Sequence, residues 1–143
     1  MTLAIEARRI FSLLPAAVLL LALFLAGPAE AAVTRVESAG QGGFRGVLEL
    51  AADPLYTMRP TPFTLTLFDP AGRQTASLEP HCDLVMPAMP MPENRPRLTT
   101  GQNRFSGEAI FTMAGDWQML VSFATASGAK EQLTFDLGRV LLK

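Results

Sequence analysis

T-P-F-T-L-T-L-F at residues 61–68, followed by D-P-A-G at 69–72, decides the fold. Phe63, Leu65 and Leu67 fall on one face of an extended chain, and Thr64 and Thr66 fall on the other. That alternation is the signature of a strand with one buried face. The four residues after it stop the strand by a known chemistry. Asp leads a turn, Pro sets the next φ, and Gly supplies the freedom to reverse.

The same pattern recurs on both sides. Upstream, a short strand is expected at Val33–Val36, a loose Gly- and Ser-containing connection at 37–45, and a strand at Gly46–Ala51 that ends at Asp53-Pro54. Downstream, a strand runs from about Gln74 to Leu78, or resumes through Asp83 to Met86. Phe105–Met113 is the next, then a tight connection at Ala114-Gly115-Asp116. Trp117–Thr125 follows, with Trp117, Met119, Val121 and Phe123 together on one face. A hairpin turn at Ser127–Lys130 leads to Gln132–Leu142, where Leu133, Phe135 and Leu137 point together. No segment after residue 31 has a helical period. About seven short strands separated by turn signals predict an all-β antiparallel sandwich.

The first 31 residues read differently. Arg8 and Arg9 precede an apolar run from Leu13 to Ala26, Gly27-Pro28 breaks it, and Ala29-Glu30-Ala31 has the small-x-small form of a cleavage site. The run is short for a membrane span of about 20 residues. Residues 1–31 are therefore expected to be a secretory signal and 32–143 the domain. The domain is expected outside the cytoplasm, periplasmic or secreted, with membrane contact only if the signal stays on.

Composition narrows the function. The chain has 143 residues, 12 Lys+Arg and 13 Asp+Glu, which fits one domain and offers no basic face for nucleic acid. One cysteine in an exported chain cannot form an internal disulfide, so Cys82 is a buried residue, a ligand or a reactive thiol. A single histidine and a single cysteine without an acid–base partner make a catalytic triad improbable. Nucleophile-elbow, zincin, phosphate-loop and C-x-x-C motifs are all missing. The chain does not read as an enzyme.

H-C-D-L-V-M-P-A-M-P-M-P at residues 81–92 is where chemistry concentrates. It holds the only histidine, the only cysteine and three of the seven methionines. The prolines stiffen it and favour extended geometry. Thioether, thiol and imidazole are soft or borderline donors that suit Cu(I). In a strictly alternating chain Met89 and Met91 share a face and Met86 opposes them, whereas a polyproline turn aligns Met86 with Met89. Met113, at the end of the strand expected at Phe105–Met113 and immediately before the Ala114-Gly115 turn, is the best donor from elsewhere, and His81 is the next. The bland alternative is that the methionines fill an irregular core end. Met58 and Met119 are assigned to packing, and Trp117 to a core anchor that can also cover the methionines.

M-P-A-M-P-M at 86–91, followed by F-T-M-A-G-D-W-Q at 111–118, resembles the YtkA-like domain family. The strand and turn F-T-L-T-L-F-D-P-A-G-R at 63–73 resemble that family's segment before its methionines. The resemblance covers roughly Pro54 to Leu137. It implies an immunoglobulin-like sandwich in an exported or membrane-anchored bacterial protein. It also implies kinship with FixH-type proteins, which are tied to the assembly of copper-dependent oxidases. Carried over by position, the family methionines are Met86, Met89, Met91 and Met113, with Gly115 and Trp117 completing the second motif. His81 and Cys82 lie outside the family pattern. The resulting expectation is a Cu(I)-binding or copper-transfer module with a copper-donating or copper-receiving protein as partner. The rival expectation is a metal-free interaction module that docks through its methionine loop.

Overall fold

The computed structural model describes residue 27 and residues 29–143, and the apolar run expected to be a leader lies outside them. The chain divides into Met1–Glu30 and Ala31–Lys143, and the second unit is described by itself. Among the described residues there is no helix, and ten strands form two sheets. The first sheet is antiparallel. It contains β1 (Thr34–Ala39), β2 (Arg45–Leu50), β4 (Thr61–Phe68), β5 (Gln74–Thr75), β7 (Thr99–Thr100) and β8 (Phe105–Ala109). Its order is β1-β2-β4-β8-β7, with β5 paired to β4. The second sheet contains β3 (Leu55–Tyr56), β6 (His81–Val85), β9 (Gly115–Ala124) and β10 (Lys130–Leu141), in the order β3-β10-β9-β6.

The alternation that predicts β4 also buries it. Phe63, Leu65 and Leu67 are buried and Thr64 and Thr66 only partly so. The turn after it forms as its residues dictate. Gly72 N–H donates to Asp69 O at 2.8 Å, and the Asp69 carboxylate accepts from Ala71 N–H at 3.0 Å and Arg73 N–H at 2.9 Å. Gly72 has φ 81°, which glycine adopts without steric cost. In β9, Trp117, Met119, Val121 and Phe123 are all buried. Across from them β10 contributes Leu133, Phe135 and Leu137, and both sheets close on one apolar cluster.

Three expectations need correction. The strands number ten rather than about seven, because β3, β5 and β7 are two residues each and carry no readable period. The architecture is not wholly antiparallel, since β3 runs parallel to β10 through Leu55↔Val140 and Tyr56↔Leu141. The strand expected to run through Met113 stops at Ala109. Phe111 is still fully buried, which explains the continued apolar pattern. The carbonyls beyond Ala109 are taken by other groups, described below.

A bulge shapes the end of the second sheet. The register of β10 against β9 shifts between Asp136 and Gly138. Gly138 has φ 71° and donates its N–H to Asp136 Oδ1 at 3.1 Å. The extra residue resets the alternation, so that Val140 is again buried after Leu137.

Candidate functional site

The motif at 81–92 is split by the pleat of β6. Cys82, Leu84 and Met86 face the core, while His81, Asp83 and Val85 face outward. His81 stands at the start of the strand, where its Cα partner is Ser122. Met86 lies just past the other end, about 16 Å further along an extended chain. The geometry therefore does not bring His81 together with Met86. Alternation of the strand explains it: an odd number of residues separates the two, so they leave opposite faces. His81 instead borders an open groove with Ser77, Glu79 and Lys130.

Cys82 is buried between the sheets. Burial pushes its thiol up to about 12, with the Asp83 carboxylate adding to the effect. A thiol held in that state is neither a nucleophile nor a ready thiolate ligand.

After β6 the chain makes a closed loop. Leu84 N–H donates to Asn94 O at 2.8 Å, which ties the exit of the loop to its start. Arg95 Nε donates to Asp83 Oδ1 at 2.7 Å, and Arg95 also pairs with Glu93 at 3.3 Å. Asn94 Nδ2 donates to Ile110 O at 2.9 Å. These bonds cover part of the open edge of β6 and fasten residues 85–93 at their base, the form of an Ω-loop. Inside it, Met89 N–H donates to Met86 O at 3.3 Å, with Pro87 in the second position of the turn. A turn of this kind brings its first and last Cα atoms within about 7 Å. Met86 and Met89 thus approach through a turn rather than through polyproline geometry. Met91 is half-buried and packs on the core.

Met113 reaches the same end of the domain from the connection between β8 and β9. Three groups outside a strand ladder hold that connection. Asn94 Nδ2 bonds Ile110 O, Met58 N–H donates to Phe111 O at 2.8 Å, and Trp117 Nε1 donates to Met113 O at 2.9 Å. The buried Trp117 ring also meets Phe111 edge-on, with centroids 5.3 Å apart. Trp117 is thus a core anchor whose polar atom fixes the backbone of Met113. Gly115 completes the arrangement. It has φ 136°, and a Cβ added there would stand 2.6 Å from Met86 Cε. Glycine suits this position because of its φ, and a Cβ would in addition have to push aside the mobile end of Met86.

The methionines divide by access. Met86 is 6% exposed, while Met89 is 45% and Met113 37% exposed. Met119 is fully buried, as expected for packing, but Met58 is 69% exposed and is not a core residue. Nothing in the sequence around Met58 announces this, because it sits in an irregular link with no period. Asn94 and Arg95 also escape a sequence reading, since their roles depend on where the loop returns.

Among the described residues no group of three or more His, Cys, Asp or Glu could hold a metal ion. The donors gathered at this end are thioethers, which fit a soft monovalent ion such as Cu(I) and do not fit Mg²⁺ or Ca²⁺. Compared with known proteins, the chain matches no family model, no curated protein and no solved structure.

Proposed function

We propose that this domain is an exported Cu(I)-binding or copper-transfer module of immunoglobulin-like sandwich type, related to the YtkA-like domains. The thioethers of Met86, Met89, Met91 and Met113 would hold the ion, and a copper-donating or copper-receiving protein would be the partner. The observation that carries this reading is the fastened loop: three methionines on a segment tied at its base, beside a fourth whose backbone is fixed by Trp117. Such fastening lowers the ordering cost of binding. Neutral thioethers add no charge to the ion, so exchange with a partner stays accessible. That suits delivery better than storage. His81 is left out of the ligand set because it leaves the opposite face of β6.

A second reading draws on a specific observation. Met58, Ile110, Met113, Leu141 and Leu142 are large apolar side chains left exposed. Met89 of the methionine loop is exposed as well, and a metal-free module that docks a partner through that loop would use Met89 and Met113 as adaptable contacts.

Anaerobic titration with Cu(I) against a chromogenic chelator separates the two. Stoichiometric binding is expected for the wild-type domain and is expected to be lost in the Met86/Met89/Met91→Leu triple variant. Equal chelator competition by both proteins would sink the copper reading and leave docking.

A further inference from the structure

We infer that Met58 is an additional thioether ligand, working with Met113 on the outer side of the methionine centre. This rests on the Cu(I) reading above and extends it to a residue outside the 86–91 and 111–118 motifs.

Two unfavourable features coincide at Met58. Its side chain is 69% exposed, which forgoes most of the stabilisation that burying a methionine brings. Its backbone has φ 56°, in the left-handed region that L side chains other than Asn and Asp rarely adopt. Strain of this sort is a pointer to function when the surroundings hold it in place. Here they do. Met58 N–H is bonded to Phe111 O at 2.8 Å, and on its two sides Thr57 N–H donates to Leu141 O at 2.9 Å and Thr61 Oγ1 donates to Arg59 O at 3.0 Å.

The same bond fixes where Met58 stands. Phe111 is two residues before Met113, at most about 7 Å of chain. Both methionines are exposed, and each has three rotatable bonds with which to reach a shared ion. The Asn94 bond to Ile110 O brings the methionine loop to the same connection from the other side. The β8–β9 connection is therefore approached by Met58 on one side and by the 85–93 loop on the other, with Met113 within it. Met86 and Met91 are more enclosed. Met58, Met89 and Met113 are the exposed methionines around this connection, so an ion arriving from solvent is offered these three before Met86 and Met91.

Methionine methyl NMR on the whole domain tests this directly. Ag(I) serves as a redox-inert stand-in for Cu(I), and each ε-methyl signal is assigned by a single Met→Leu variant. The expected result is that the Met58 methyl moves in step with those of Met89 and Met113 up to a single equivalent, and that Met58→Leu weakens the response at Met113. If Met89 and Met113 respond to that first equivalent while Met58 stays still, or moves only in excess Ag(I), the inference about Met58 fails and the copper reading stands. If none of these methyls responds, both fail. Met58 is exposed, so its leucine variant is expected to fold, and unchanged far-UV circular dichroism checks that.

Discussion

Two halves of one short stretch behave oppositely. His81–Val85 is a strand, and its inward residues Cys82 and Leu84 are part of the core. Residues 86–93 form a loop whose chemistry depends on fastening at the base rather than on a ladder. From the sequence the first half is reached only as one of two alternatives, a strand at residues 83–86, which overlaps the strand His81–Val85. In the second half the prolines remove the period, and the bonds made by Asn94 and Arg95 decide the geometry. Chemically similar donors that lie side by side in sequence are thus assigned to opposite faces of one sheet.

The contrast predicts different costs for substitutions on either side of Val85. Leu84→Ala is expected to lose about 2–5 kcal/mol, as is usual for a buried leucine, measured by urea unfolding. Met89→Ala, in the exposed part of the loop, is expected to stay within about 0.5 kcal/mol of wild type in the same assay. Equal losses at both positions would break the distinction between core strand and open loop.

Gly115→Ala sharpens it at the junction. The new Cβ would strike the Met86 methyl, and the backbone would be held at φ 136°. A loss of about 1–3 kcal/mol is expected, together with weaker Cu(I) retention by the displaced Met86. An unchanged unfolding midpoint would mean that alanine is accommodated at this φ without strain.

The buried thiol makes a prediction about pH. Its pKa is raised from 9.0 to about 12 by burial. Below about pH 9 both folded and unfolded chains keep the proton, so Cys82 adds no pH dependence. Above it the unfolded chain releases the proton first, and stability falls as pH rises towards about 12, by up to roughly 1.4 kcal/mol per unit. The difference between wild type and Cys82→Ala should show this slope from pH 9 upward. A flat difference would place the thiol in contact with water.

The smallest effect is expected at the outward-facing histidine. His81→Ala should leave stability within about 0.5 kcal/mol of wild type and Cu(I) affinity unchanged. A clear fall in affinity would restore His81 to the ligand set and overturn the division of the motif.

Much of the fold was readable because its long strands carry period-2 patterns. Thr61–Phe68 matches β4 end to end, and the inward faces of β9 and β10 follow from their apolar residues. Strands of two residues have no pattern to read, and the parallel pairing of β3 with β10 leaves no local trace. Phe111 misled in an instructive way, since it is buried although the ladder has already ended. At the candidate site, Met86, Met89, Met91 and Met113 stood out by composition. Met58 did not, because its exposure follows from a backbone turn held by Phe111 and not from its neighbours in sequence.

Copper K-edge X-ray absorption of the domain loaded anaerobically with a single equivalent of Cu(I) tests the central claim most directly. A shell of sulfur scatterers alone, lost in the Met86/Met89/Met91→Leu variant, is the predicted result. A nitrogen or oxygen shell, or failure to retain the ion through desalting, would contradict it.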